Sequence, residues 1–255
     1  PVAGFLTPAV PASPERYATP AEAAVWLWWL RRRAQRANPA RRPFCRNLAL
    51  MQRCLIRSGA RPGELCALEW SDVRWNGWAT QQGHRGARAV IPPERWKAGA
   101  KTGRSRVIYL RPSLARALGR LRDRGGGGAA HPFAHGAGRG GKGGGEPWPS
   151  GSTLSKTVAR IRRELIAWQA EARARLEAGG GLTAVERWAA SVEVRDEGAN
   201  RLVNYRWRHT AATALCADGL DLVTVSKLLG TSPEVLQRTY AHALEGHLAR
   251  AAERL

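Results

Sequence analysis

Runs of apolar residues that suit helices occupy most of the chain, and short β-like runs appear only between Gly77 and Leu110. Residues 1–18 are rich in Pro and Ala without a helical period and read as a linker-like tether. Thr19-Pro-Ala-Glu22 supplies an N-cap hydroxyl, a proline at the first helical position and a carboxylate three residues on, so a helix is predicted from there to about Arg36. A second helix, from about Pro43 to Arg57, ends at Ser58-Gly59, where glycine tolerates a left-handed cap. The turn Ala60-Arg-Pro-Gly-Glu64 leads into a short apolar helix, LCALEW. The runs WAT, ARAVIPP and RVIYL then predict a small antiparallel sheet, with Lys97 to Gly103 in the connection before its last strand.

A helix from Pro112 to Arg124 precedes residues 125–145, a glycine-rich loop with no strand before it and no GK[ST] after it, hence no phosphate-cradling motif. His131 and His135 lie in this glycine-rich setting, which does not favour a metal pair. A long helix is predicted over Ser152 to Glu177 and a shorter one over Leu182 to Ala190, the region of about 166–198 reading as a helical insertion. Arg208 to Ala217, the Gly219 turn, Asp221 as N-cap and Leu222 to Leu229 form a helix-turn-helix shape whose apolar positions, Val223 among them, read as core. Ser232-Pro-Glu234 caps a helix leading to Tyr240, and Leu244, Leu248, Ala251 and Leu255 form an apolar stripe on a last helix. The class predicted is α+β, mainly helical with a small antiparallel sheet.

Charge adds a partner to this outline. Among the 255 residues, 41 are Lys or Arg against 20 Asp or Glu, a formal charge of +21, which points to a polyanion. The four cysteines form no CxxC or CxxH spacing and read as reduced, mostly buried thiols in a cytosolic protein. AAVWLWWL is too short to span a bilayer and runs into Arg31-Arg32-Arg33; Trp26, Trp28 and Trp29 within it read as core or as a contact with another domain.

The stretch RTYAHAL places Tyr240 between small residues that leave its phenol accessible. Taken alone, such a helical tyrosine is more often a core residue. Its neighbourhood in sequence changes that reading. GARPGELCALEWSDV (Gly59 to Val73), KTGRSRVIYL (Lys101 to Leu110) and YRWRHTAATALCADGLDLVTVSKLLGTSPEVLQRTYAH (Tyr205 to His242) resemble, in order and spacing, the catalytic domain of the tyrosine recombinases, the phage integrase family. The resemblance runs from Thr19 to the C-terminus. It implies that a tyrosine hydroxyl attacks a DNA phosphodiester, forms a 3′-phosphotyrosyl intermediate and releases a 5′-hydroxyl, with no cofactor or metal. Tyr240 matches the nucleophile, and Arg61 and Arg208 match the two arginines that neutralise charge on the non-bridging oxygens. Each arginine has a plainer alternative, a surface residue before a helix for Arg61 and a salt bridge for Arg208. Glu64 matches the acidic residue that orients Arg61 or caps its helix, and His209 matches a residue beside the second arginine that reads as a structural hydrogen bond, with a direct role as the alternative. Lys101, or else Lys97, matches the general acid for the leaving oxygen.

Two positions depart from the family pattern. Tyr205 stands where the His-x-x-Arg histidine is usual, and a phenol is a poorer proton acceptor than imidazole. Thr231 stands where His or Trp is usual, nine residues before Tyr240, and offers a hydroxyl to a phosphate oxygen. The family also places a helical core-binding domain ahead of the catalytic one, so residues 19–255 are expected to be the catalytic half with that domain absent. Implied partners are double-stranded DNA and a homotetramer assembled on it through the C-terminal helix, in the cytoplasm at the nucleoid. The reaction is that of a mobile-element integrase or a resolvase-like recombinase; the alternative is a degenerate relative that grips DNA without cutting it. If about six phosphates are neutralised, DNA affinity measured by anisotropy should fall by about 10³-fold between about 50 and about 200 mM salt, whereas a flat response would exclude a nucleic-acid groove.

Overall fold

The computed structural model describes residues 17–96, 99–124, 130–135, 146–148, 150–194 and 204–240. Helix α1 (Pro20–Arg36) begins with a reciprocal cap: Thr19 Oγ1 accepts from the Glu22 amide at 3.1 Å, and Glu22 Oε2 accepts from the Thr19 amide at 2.8 Å. Helix α2 (Arg42–Ser58) runs antiparallel to it, since Trp26 near the start of α1 meets Gln52 near the end of α2, while Arg33 meets Cys45 at the opposite ends. Gly59 closes α2 at φ 63°, and a Cβ there would sit 2.6 Å from Leu229 Cδ2, so both the left-handed backbone and the close packing call for glycine. Helix α3 (Pro62–Cys66) follows, one turn earlier than the LCALEW prediction, because Pro62 starts the helix directly after Arg61.

Strands β1 (Val73–Ala79), β2 (Arg85–Ile91) and β3 (Arg106–Leu110) form the antiparallel sheet in that order, with Val73 opposite Ala89 and Ala89 opposite Ile108. β1 starts five residues before the predicted WAT run. A register irregularity between Arg74 and Trp78, where Asn76 takes φ 55°, breaks the two-residue alternation by which a strand is read from sequence. The β2–β3 connection contains the short helix α4 (Gly99–Thr102), and α5 (Pro112–Arg124) packs on β2 and β3. Residues 1–16, residues 125–129 and 136–145 of the glycine-rich loop, and the predicted last helix beyond Tyr240 lie outside the described residues. The ends of that loop pair as β4 (Ala134–His135) and β5 (Glu146–Pro147), beside buried Phe133 and Trp148. His131 Nδ1 lies 3.1 Å from the Leu68 carbonyl, a structural contact.

Helix α6 (Gly151–Glu177) carries α7 (Ala184–Ser191) on its C-terminal half, where Gln169 Nε2 donates to the carbonyls of Ala189 at 2.7 Å and Val192 at 2.8 Å. This pair braces α1: Trp168 packs 5.0 Å from Trp28 and 5.5 Å from Trp29, and Arg32 pairs with Glu186 at 2.7 Å. The tryptophan-rich stretch is therefore core and core rim, with Trp26 fully buried. Helices α8 (Asn204–Ala217) and α9 (Leu222–Leu229) precede a helical stretch, 233–240. Val223, expected in the core, is 52% exposed: Val225 and Leu229 form the buried i,i+4 stripe of α9, and Val223 falls on the opposite side. All four cysteines are buried free thiols, and among the described residues no helix is long and apolar enough to cross a membrane.

One buried polar knot joins α1, α2 and α8. Gln52 Oε1 accepts from the indole N–H groups of Trp26 and Trp207, each at 3.1 Å, and Gln52 Nε2 donates to Asn204 Oδ1 at 2.7 Å. Replacing Gln52 by Leu strands two buried donors, so Gln52→Leu should lose at least about 3 kcal/mol in urea unfolding; a loss under about 1 kcal/mol would contradict this bonding.

Candidate active site

Arg61 is held by the turn that separates α2 from α3. Pro62 favours an extended residue before it, and Arg61 has φ −72° and ψ 145°. Glu64 then folds back: Oε2 accepts from the Arg61 amide at 2.9 Å and Oε1 accepts from Arg61 Nη1 at 2.9 Å. The same carboxylate caps the helix and aims the guanidinium, the two uses expected of it. A Cβ on Gly63 would meet nothing within 4 Å, so the space beside Arg61 is open.

Arg208 reaches the same place from α8. Its Nη1 donates to the Gly59 carbonyl at 3.0 Å, which ties α8 to the last residue of the α2 cap. Arg208, expected at the start of its helix, lies at least one turn inside α8, whose described residues run from Asn204. The helix dipole therefore contributes less at Arg208 than its own charge. Burial lowers the Arg208 guanidinium first, and the nearby Arg61 charge lowers it further, while Glu64 opposes both.

A third cation was not picked out in the sequence. Arg106, the first residue of β3, is buried, donates from Nη1 to the Lys227 carbonyl at 3.0 Å and from Nη2 to the Leu228 carbonyl at 2.6 Å, and lies 3.7 Å from Glu64. It thus fastens the C-terminus of α9 to the sheet and to the Arg61 turn. Burial pulls its guanidinium down to about 10, with Glu64 opposing and Arg208 and Arg61 adding to the fall, so it remains charged at neutral pH. Gly230 passes close by, since a Cβ there would stand 2.7 Å from Arg106 Nε. Thr231 follows at once, half-buried, with its amide on the Ser226 carbonyl at 3.1 Å. The signal in sequence was only an arginine opening an otherwise apolar strand, easily lost in an arginine-rich chain.

Tyr240 lies on the helical stretch after Thr231. The phenol expected to be accessible is 7% exposed, packed with Ala212, Cys216, Val225, Leu229 and Leu236 in a small cluster of its own. Its hydroxyl is 2.8 Å from His209 Nδ1, one residue from Arg208. Burial raises the phenol well above its usual range, and the Arg208 charge pulls against that rise. Tyr205 sets its ring edge-on to His209 at 5.2 Å and is 47% exposed. A cleft of about 560 Å³ runs between Arg61, Gly63, Glu64, Trp96, Ser152 and Tyr205. Lys101, exposed on α4, is not among its lining residues, and Lys97 lies outside the described residues. Arg61 and Tyr205 thus line the cleft, Arg208 is within electrostatic reach of Arg61, Tyr205 and Tyr240, Thr231 lies two residues beyond α9, and Lys101 does not line the cleft.

The chemistry this allows is anion binding and charge neutralisation: Arg61 and Arg106 pair with one carboxylate, Glu64, and Arg208 lies within its electrostatic reach. Among the described residues no group of three or more His, Cys, Asp or Glu is placed to hold a metal ion. Glu64→Gln leaves the cluster with no counter-charge and should cost about 3–5 kcal/mol in urea unfolding. Inorganic phosphate should recover more of the stability of that variant than of wild type, compared with chloride at equal ionic strength; an equal response would show that the cluster takes no anion.

No protein-family model and no curated protein matches this chain. Solved structures do. The crystal structure of XerA recombinase aligns at 15% identity and TM-score 0.51 over 92% of this chain and 63% of its own. XerH site-specific recombinase bound to difH substrate, in a pre-cleavage complex, aligns at 18% identity and TM-score 0.54 over 93% of this chain and 53% of its own. The Tn1549 transposon integrase in complex with transposon right end DNA aligns at 17% identity and TM-score 0.53 over 95% of this chain and 66% of its own. This chain spans less than two thirds of the length of each. A mainly helical body with this three-stranded antiparallel sheet, matched along nearly its whole length by recombinases and an integrase, has the fold of the tyrosine recombinase catalytic domain.

Proposed function

We propose that this chain is the catalytic domain of a site-specific DNA recombinase or integrase, breaking and rejoining strands through a 3′-phosphotyrosyl intermediate on Tyr240. The observation that carries the reading is the approach of Arg61, Arg208 and Tyr240, from three separate segments, to one site with an excess of positive charge. A scissile phosphate in the cleft would sit against Arg61 and Arg208, whose fixed donors neutralise the charge that builds on the non-bridging oxygens as the phenol attacks. Tyr205 faces the cleft and can donate to a phosphate oxygen, as can the Thr231 hydroxyl at the end of α9. Lys101, or else Lys97, would protonate the leaving 5′-oxygen. The partners that follow are double-stranded DNA and further copies of the chain, with the segment beyond Tyr240 reaching a neighbouring protomer. The DNA complexes of the XerH and Tn1549 proteins support the choice of substrate.

A second reading, DNA gripping without cleavage, is favoured by one observation: Tyr240 is packed away at 7% exposure. On the first reading this is a resting position that DNA or a neighbouring protomer releases. The two separate on a nicked suicide duplex carrying a sequence selected from a random DNA library by binding. Wild type should form a covalent protein–DNA adduct that resists SDS, and Tyr240→Phe should form none while binding the duplex as tightly. Binding without any adduct across about pH 7 to about pH 9 would establish the gripping reading.

A further inference from the structure

We infer that His209 is the proton acceptor for the attacking tyrosine, an assignment that rests on the strand-breaking reading and deepens it. Its basis is the 2.8 Å hydrogen bond between the Tyr240 hydroxyl and His209 Nδ1, across two helices and 31 positions of sequence. A free phenol ionises near about 10, so only about one in a thousand is phenolate at neutral pH. Tyr240 is worse placed than a free phenol, because it is buried in a cluster of apolar side chains. Ionisation before attack is therefore ruled out as an efficient route, and the proton must leave as the oxygen attacks. That requires an acceptor already in contact with the hydroxyl.

The sequence position from which this family usually offers an imidazole is Tyr205 here, a phenol with the same reluctance to accept a proton. Tyr205 meets the ring of His209 edge-on at 5.2 Å rather than meeting the Tyr240 oxygen. The imidazole one turn further along α8 makes the contact instead. His209 is half-buried, so the acceptor sits at the edge of the cleft rather than in the core. Among the described residues, the charged or titratable groups that act on the Tyr240 hydroxyl are Arg208 and Tyr205 on α8, and Cys216 further along it. With Nδ1 unprotonated, the hydroxyl donates to it. As the phenolic oxygen's electron pair forms the bond to phosphorus, the proton passes to Nδ1 and the imidazole becomes imidazolium. The P–O5′ bonding pair leaves with O5′, which takes a proton from the lysine acid. Rejoining reverses each transfer, His209 returning the proton to the departing tyrosine.

The test uses the same suicide duplex with wild type, Tyr240→Phe, His209→Ala and His209→Gln, reading the single-turnover rate of adduct formation and, separately, duplex affinity. Glutamine can still accept a hydrogen bond through its side-chain carbonyl but cannot carry the proton away. Both histidine variants should bind DNA like wild type and form adduct about 10²-fold or more slowly, and added imidazole should raise the rate of His209→Ala and not that of Tyr240→Phe. A His209→Gln rate within about threefold of wild type would overturn the assignment, leaving the contact a positioning one and the strand-breaking reading intact. Failure of imidazole to accelerate His209→Ala would overturn it too. If wild type itself forms no adduct, the strand-breaking reading falls and takes this assignment with it.

Discussion

Glu64 pairs with Arg61 and Arg106 and acts electrostatically on Arg208, and among the described residues the site depends on that excess of cations over carboxylate. Two of those cations, Arg106 and Arg208, are buried; burial lowers the proton affinity of both, the Arg208 and Arg61 charges lower that of Arg106 further, and the Arg61 charge lowers that of Arg208. Desolvated like charges repel strongly and are tolerated only where the surrounding bonds hold them. Here those bonds are backbone carbonyls: Gly59 for Arg208, Lys227 and Leu228 for Arg106. Each carbonyl belongs to a helix end or to the residue just beyond one, where it is free to accept. The same contacts that satisfy the arginines thus fix α2, α8 and α9 relative to the sheet. Of the three arginines, Arg61 lines the open cleft.

Helix α8 carries most of this assembly in one short run. Asn204 and Trp207 enter the Gln52 knot, Arg206 reaches the Tyr17 carbonyl at 2.7 Å and Glu22 at 3.3 Å, Arg208 reaches Gly59, and His209 reaches Tyr240. Successive residues of a helix point about 100° apart, so a stretch of six covers every direction. The consequence is mechanical: the end of α1, the end of α2 and the tyrosine helix are all indexed to the same turns. A low helical amphipathicity in NYRWRHTAATALCA is what such a central element should show, since it has no solvent face over its first half beyond Tyr205 and the edge of His209.

Much of this was legible in the residues themselves wherever local chemistry decides the structure. Thr19 to Glu22, Gly59 and Asp221 mark helix ends through their own side chains or backbone, and α1, α2 and α9 begin or end within a residue of the predicted points. Where tertiary contacts decide, sequence was silent. β1 hides behind an irregularity at Asn76, Asn204 finds its buried partner 152 positions away, and Arg106 looks like any other arginine until the carbonyls of α9 are brought to it. The convergence of Arg61, Arg208 and Tyr240 was readable only through resemblance, and the resemblance did not convey that Tyr240 is packed away or that His209 holds it. Both facts arise from how 233–240 sits on α8, which no local pattern encodes.

The central claim is that the buried phenol of Tyr240, not the exposed phenol of Tyr205, is the group that the cation cluster and His209 serve. Mass spectrometry of the DNA-linked peptide after trapping and proteolysis tests this most directly. A nucleotide remnant on Tyr240 and an unmodified Tyr205 are expected. A remnant on Tyr205, or on any side chain other than Tyr240, would contradict it.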